Sequence, residues 1–580
     1  MGVEFAAVTL EGRRYSLPSP LQHDETELQV EDWSIVPEAW LTVAMGRMTP
    51  EERSLMLRHK LIPYCWLPHC TVYCIVDEAS LHEGRSRGLT LVGRISPQLY
   101  RKLVRRNFSK ALEHRAVHAL AKTKPWASAH HRLSDSQLLL AGLIVICCLA
   151  VTVIHSAAII LSVFQVLAGL FFLMVVSLRC LCLMPLPKKL GHLVPLLQDA
   201  ELPVYTVLVP LFREVNVCRQ IVAALSLLDY PQDKLDIKII LEENDRPMHV
   251  AVREMNLPWY FDILIVPRGK PQTKPRALNY AMQFARGTLV TIYDGEDIPQ
   301  PGQLKLAAAQ FNHAEDDVAC FQAALDFFNP TENWLARHFT TEYAALFQVV
   351  LPTLAAYGLP LPLGGTSNHF RASALRAVGY WDAFNVTEDA DLGIRLARHG
   401  YKAGILHSTT YEEANTQLGN WMKQRRRWLK GFLQTWLVHN RDPWLLTRET
   451  GIGGFLAVQA ITLGVFMSAL LHPLLLVMAL WNFLPQNLAV TTSTYVGSAM
   501  SGMSLVVLIA GYASAIAISH KGLQKIGALG WISTLATIPL YWLLISGAAW
   551  MALWDFIFAP YHWHKTKHGL SHFGNKTGLV

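Results

Sequence analysis

Charge is scarce in this chain and cysteine scarcer. Only 16% of the 580 residues are charged and nine are cysteine. The formal net charge is a modest +7, and much of it lies beside apolar blocks, which speaks against a general nucleic-acid surface. Cys147, Cys148, Cys180 and Cys182 sit in or next to apolar runs, a spacing unlike a disulfide framework and suited to a reducing cytoplasm. Cys65, His69, Cys70 and Cys74 crowd one strand-like stretch with no second knuckle, so a plain strand outweighs a zinc site there. The first ten residues lack the basic start and apolar core of a cleavable signal. No internal repeat or extended low-complexity segment stands out.

What the chain has instead is apolar bulk. Hydrophobic residues make up 52% of it, in local blocks, as expected of an integral membrane protein with a sizeable soluble part. Its length predicts about three or four units. Residues 1–130 read as a small α+β cytoplasmic domain for docking or regulation, with strand-like Cys70–Val76 and Gly88–Val92 and a helix over Ser96–Lys122. Residues 131–185 read as a transmembrane hairpin, because Leu138–Ile154 and Ala157–Val176 each approach the ~20 residues that span a bilayer. Arg179, Lys188 and Lys189 then place both hairpin ends in the cytoplasm.

From 186 to 450 short β-rich runs alternate with helical patterns, the mark of a mainly parallel sheet with helices on its faces. Ligands bind at the carboxyl ends of such strands. Those ends carry acid here: Glu242 and Glu243 after one strand, and Asp294-Gly295-Glu296-Asp297 after another. The second cluster can hold a hard divalent cation that bridges diphosphate oxygens. Lys274 opens a helix after a Pro- and Gly-rich loop and can reach a diphosphate. Asn329–Val350 reads as an amphipathic helix at the membrane surface. Gly364-Gly365-Thr366-Ser367-Asn368-His369-Phe370-Arg371 is a small polar loop against which a sugar acceptor can lie.

Two stretches organise the rest. Asn385-Val386-Thr387-Glu388-Asp389-Ala390-Asp391 is an acidic helix start, with Thr387 as cap and an Asp391–Arg395 pair on one face. Gln424-Arg425-Arg426-Arg427-Trp428 sets three guanidiniums beside an indole, suited to phosphates and a sugar face. Alone, the first is most often a cap and the second a positive-inside anchor. Together with the strand-end acids they point to sugar transfer from a nucleoside diphosphate. Residues 451–560 hold further spans, near Gly454–Leu471, Val496–Ile518 and Leu529–Trp550, with the shorter Pro473–Leu484 either re-entrant or crossing with help from its neighbours. Trp554–His568 reads as an aromatic, basic interfacial anchor, and 561–580 as a basic cytoplasmic tail.

From about Tyr205 to Trp428 these motifs resemble the membrane-embedded processive glycosyltransferases of family two, the cellulose, hyaluronan and poly-N-acetylglucosamine synthases. The N-terminal region also vaguely resembles the N-terminal domain of type II secretion ATPases. The family resemblance implies a GT-A domain, α/β and Rossmann-like, on the cytoplasmic face of a bacterial inner membrane. Asp389 would then be the general base beside Glu388 and Thr387. Asp294, Glu296 and Asp297 would hold Mg²⁺ or Mn²⁺. Glu242, Glu243, Lys274, Asp294, Gln424 and Arg427 would bind the UDP-sugar, with UDP-glucose the first expectation. Trp428, Gly365, Thr366 and Phe370 would meet the growing polysaccharide, which leaves through the chain's own helices toward envelope export partners. The chain departs from the family in having Glu242-Glu243 for paired aspartates, in its Asp-Gly-Glu-Asp metal motif, and in showing neither a Phe-x-Val-Thr-x-Lys loop nor a C-terminal cyclic di-GMP receptor domain. A transferase that adds one sugar to a lipid or oligosaccharide is the runner-up. An inactive scaffold or cyclic di-GMP receptor is the third reading.

Overall fold

The computed structural model describes residues 8–10, 13–15, 38–66, 71–154, 157–186, 194–482, 495–559, 565–566 and 568–571. Two compact units divide between Ala111 and Leu112, inside the helix Pro97–Thr123, rather than near residue 130. The reason is local. Asn279 Nδ2 donates to the Ala116 carbonyl at 2.9 Å and Gln283 Nε2 to that of Leu112 at 3.0 Å, tying residues 112–130 to the second unit.

The first unit is α+β. Ile62–Trp66, Thr71–Ile75 and Thr90–Arg94 form a three-stranded sheet over a core of Leu61, Tyr73, Ile75 and Leu91. Cys74 is buried in that sheet, and His69 and Cys70 lie outside the described residues.

The second unit is built on an eight-stranded sheet: β1 (Tyr205–Leu211), β2 (Leu235–Glu242), β3 (Phe261–Val266), β4 (Leu289–Ile292), β5 (Ile298–Pro299), β6 (Val318–Phe327), β7 (Asn368–Arg371) and β8 (Lys402–Glu412). Its order is β5-β8-β6-β7-β4-β1-β2-β3. Strands β4, β1, β2 and β3 run parallel, and their near-continuous Val, Ile and Leu suit strands covered on both faces. The other half is mixed, not mainly parallel. β7 runs antiparallel between β4 and β6, β8 runs parallel to β6, and β5 is antiparallel to β8. The Gly364–Arg371 segment is therefore loop only as far as Ser367; a strand follows.

Two helices complete the site's frame. The acidic helix Glu388–Arg398 stops before Gly400, whose φ of 80° is the left-handed conformation glycine tolerates. Thr387 stands at the cap position, but its hydroxyl caps nothing. It meets Asn385 Oδ1 and Thr435 Oγ1, each at 3.4 Å, where Gly431 of the arginine helix Leu418–His439 makes room. A Cβ on Gly431 would stand 2.3 Å from the Thr387 methyl, so only glycine allows this approach. Asp391 pairs with Arg395 at 2.7 Å and with His439 Nε2 at 3.0 Å, and all three side chains are fully buried. Arg395 also donates to the Val378 and Tyr380 carbonyls. The acidic helix is thus bolted to the arginine helix through its own interior.

Five helical stretches are long and apolar enough to cross a bilayer: Asp135–Ile154, Val163–Leu183, Pro443–Val477, Leu505–Lys525 and Ile538–Phe558. The third contains a break at Gly451. Pro473 lies inside the helix Leu463–Asn482, so the segment beginning there is the second half of a longer helix and not a re-entrant piece. The helix Trp334–Ala345 buries Leu335, Phe339 and Tyr343 and packs on the helix Tyr495–Lys525.

Asp391→Ala strands the buried Arg395 guanidinium without its counter-charge. Breaking such a pair costs about 3–5 kcal/mol, so the variant in detergent should melt several degrees below wild type. An unchanged melting temperature would show that the bolt contributes nothing.

Candidate active site

The acids at the carboxyl ends of β1, β4 and β8 converge with the two helices on one cavity of about 610 Å³. Four groups of side chains define it.

The first follows β4. Asp294 faces the cavity, where Lys274 Nζ pairs with its Oδ1 at 2.6 Å and donates to the Gly365 carbonyl at 2.7 Å. Burial pulls the Lys274 ammonium down, but Asp294 and Glu388 outweigh it and hold it above the ordinary lysine range. Asp297 turns inward and is wholly buried. Burial, then Asp294 and Glu296, push its carboxyl well above the usual range. One oxygen accepts the Asp294 N–H at 2.6 Å and bonds the Thr366 hydroxyl, which lies 3.0 Å from the Ile292 carbonyl. Asp297 and Thr366 therefore shape the loop from beneath.

The second group joins segments far apart in sequence. Glu296 meets His568 Nδ1 at 2.8 Å, and Lys565 pairs with Glu214 at 2.9 Å. One ligand atom each from Glu214, Glu296 and His568 lie within 4.8 Å of one another. Burial draws the His568 imidazole down, but Glu296 and Glu214 raise it to about 9. Two carboxylates and an imidazole in this spacing fit Mn²⁺ or Mg²⁺. Of the three acids expected to bind metal, Glu296 belongs to this cluster, and Asp294 and Asp297 stand outside it, Asp294 paired with Lys274.

The third group is the acidic helix start. Burial and then the Asp389 carboxylate raise Glu388 to about 7. Burial raises Asp389 as well, against the pull of Lys274. Gly365 lies across from Asp389; a Cβ there would come within 3.1 Å of Asp389 Oδ2, so the glycine keeps the space before that carboxylate open.

The fourth is the arginine helix, whose successive residues turn by ~100° and face three ways. Arg425 grips Glu342 with two bonds of 2.5 and 2.6 Å and lies 4.8 Å over the Trp428 ring. Arg426 pairs with Asp555. Arg425 and Arg427 line the cavity with Gln424 and Trp428, and Arg426 does not. Gln424 accepts from Asn415 at 2.9 Å, and Trp428 stacks on Tyr343. Of the three guanidiniums suited to phosphate, two are thus held by carboxylates of other helices.

The remaining residues divide. Glu242 lines the cavity but is bound to buried Arg276 at 2.5 Å, and Glu243 accepts the Arg268 N–H at 3.2 Å. Phe370 is 1% exposed and packs on Trp381 from within the sheet, so it meets no acceptor. Sequence reading missed Glu214, Glu412, Lys565 and His568. Glu214 and Glu412 end strands or follow them closely, so the strand-end rule had the means to find them. His568 and Lys565 gave no local signal and looked like a membrane anchor.

Residues 289–563 match the model of the family described as Glycosyl transferase family group 2. The chain is 29% identical over 245 residues to the beta-monoglucosyldiacylglycerol synthase of Synechocystis sp., covering 41% of this chain and 49% of that protein. It is 25% identical over 287 residues to cellulose synthase 2 of Novacetimonas hansenii, covering 48% of this chain and 17% of that one. The chain thus spans about half, or less, of the length of these curated relatives. Among solved structures, mannosyltransferase PcManGT from Pyrobaculum calidifontis, in complex with GDP-Man and Mn²⁺, aligns at 15% identity and a TM-score of 0.42, over 68% of this chain and 98% of that one. Residues 289–563 are thus similar to family-two glycosyltransferases, and the mixed sheet is joined to helices apolar enough to span a membrane.

His568→Ala removes the one nitrogen from the candidate metal cluster. Mn²⁺ affinity, read by electron paramagnetic resonance of free ion, should fall at least about tenfold. Unaltered binding would place the ion elsewhere.

Proposed function

We propose that the protein transfers a sugar from a nucleoside diphosphate donor, UDP-glucose first, to a growing polysaccharide, with inversion to a β-linkage. The observation that carries this reading is the continuity of the cavity, whose lining runs from Asp294, Glu388 and Asp389 to Phe172, Val465, Tyr512 and Trp542 of the candidate spans. An acceptor entering along those helices meets the donor at the acidic helix.

Asp389 takes the proton of the acceptor hydroxyl. The oxygen attacks the anomeric carbon, and the bond from that carbon to the diphosphate breaks with its electron pair going to the diphosphate. Lys274 and Arg427 receive the developing negative charge in a site shielded from water. Glu214, Glu296 and His568 would hold Mg²⁺ or Mn²⁺, which supplies further charge neutralisation to the leaving group when bound. Trp428 offers its ring to the acceptor sugar, and Glu242 and Glu243 flank the nucleoside side. The positive-inside pattern favours a bacterial inner membrane with the site facing the cytoplasm. Envelope partners would take the polymer onward. The second reading, one sugar added to a lipid, gains from the apolar walls of the cavity's far end.

Purified protein in nanodiscs, given radiolabelled UDP-glucose with Mg²⁺ or Mn²⁺, should yield a ladder of long products; a single addition would favour the lipid reading. Asp389→Asn should slow transfer about 10²–10⁴-fold, and an undiminished rate would remove Asp389 from the chemistry.

The rate should also fall below about pH 7, where the Glu388–Asp389 pair takes up protons. Glu388→Gln removes the neighbouring charge, so the acid limb of its rate profile should move to lower pH. A limb that stays in place would mean that the pair does not govern the rate.

A further inference from the structure

The membrane end of the cavity holds a cation without an acid to match. Arg179 belongs to the span helix Ala157–Leu183 and lines the cavity. Its Nη1 donates to the Gly511 carbonyl of a neighbouring span at 3.2 Å, and its Cζ lies 5.8 Å from the centre of the Trp542 ring. Among the described residues no carboxylate faces it. An arginine near a cytoplasmic helix end is ordinarily an anchor that snorkels outward. Arg179 turns inward: its contacts are a carbonyl and an indole of two other spans. A charge kept inside a helix bundle at such cost ordinarily meets a ligand.

Polar partners surround it. His472, 6% exposed, shares a hydrogen bond of 2.5 Å with the Tyr512 hydroxyl through Nε2, and its Nδ1 has no hydrogen-bond partner among the described residues. Tyr512 stacks on Trp542 with centroids 4.9 Å apart and planes 17° apart, so that indole face is covered by protein and closed to a sugar. Phe172, Val175, Val465 and Leu508 line the same cavity with hydrocarbon. Lys521 adds positive charge nearby, donating to the Cys182 carbonyl at 3.0 Å. Arg179 lies four residues before the helix end at Leu183, about 6 Å along its axis.

A guanidinium and polar ring groups beside apolar walls match a ligand with an anionic head and alkyl tails. We propose that this end of the cavity binds an anionic phospholipid, its phosphate on Arg179 beside Tyr512 and its chains along the apolar wall. The inference goes beyond sugar transfer and fits the single-sugar reading, since a polymer would have to displace the lipid from the Phe172, Val465 and Tyr512 wall. Basic pockets between spans on the cytoplasmic side are suited to such headgroups.

The full chain in detergent is exposed in turn to phosphatidylglycerol, phosphatidylcholine and inorganic phosphate, with bound lipid read by native mass spectrometry and stability by melting. Phosphatidylglycerol should be retained about tenfold better than phosphatidylcholine, a difference of about 1.4 kcal/mol, and should raise the melting temperature. Arg179→Gln should lose that preference and Arg179→Lys keep it. Equal retention of both lipids by wild type overturns the proposal, as does an intact preference in Arg179→Gln. Inorganic phosphate that displaces the lipid at equal concentration also overturns it, since the site would then suit a free anion. The wild-type comparison needs no variant. Should Arg179→Gln fail to fold, Tyr512→Phe gives the location, with phosphatidylglycerol retention reduced and phosphatidylcholine retention unchanged; undiminished phosphatidylglycerol retention would overturn it.

Discussion

Negative charge gathered at the carboxyl ends of one sheet is the constraint that shapes everything around it. Glu214, Asp294, Glu296, Asp297, Glu388, Asp389 and Glu412 crowd a single region, and that many carboxylates cannot all stay ionised so close together. The fold answers in three ways. Asp297 is buried and Glu412 half-buried, and burial with the neighbouring acids pushes both carboxyls well above the usual range. Asp294 and Glu296 are each matched by one cation, Lys274 and His568. Glu388 and Asp389 are left in partial balance at a helix N-terminus, where a proton is readily exchanged near neutral pH.

That arrangement requires two elements to be rigid. The acidic helix is fixed by the buried Asp391–Arg395–His439 contacts and by the close meeting of Thr387 with Gly431. The arginine helix is fixed from its other side, since Arg425 and Arg426 spend their charges on Glu342 and Asp555. Both of these acids lie on helices beside or within the candidate spans, so the same residues that frame the cavity tie the catalytic sheet to the membrane helices. Arg427 is left to face the acids. Its two neighbours serve as structure, and Arg427 lines the cavity among those acids.

Much of the fold was legible in sequence. The strands β1 to β4 announced themselves because parallel strands covered on both faces need unbroken Val, Ile and Leu. The helix over Ser96–Lys122 and the first apolar hairpin followed from periodicity and length. The strands β6 and β8 did not show, since Val318–Phe327 is rich in Ala and carries Gln322 and Asp326, while Lys402–Glu412 mixes Ser and Thr with apolar residues. Pairing in the middle of a sheet overrode weak local preference there. The helix Trp334–Ala345 had the pattern of a surface helix, and its packing partner Tyr495–Lys525 lies far along the chain.

The sequence by itself determined the chemistry on offer: strand-end acids, an acidic helix start, an arginine–tryptophan run and apolar blocks long enough for a bilayer. Residue type and local spacing are sufficient for that, because helix caps, strand ends and spans are local in origin. Tertiary structure alone decided which of those groups would share the cavity. It turned Asp297 and Phe370 inward, paired two of three arginines with distant acids, and brought His568 across to Glu296 from 272 residues further along the chain. Such choices depend on which charges share a buried volume, and a volume enclosed by distant segments leaves no mark on the local sequence.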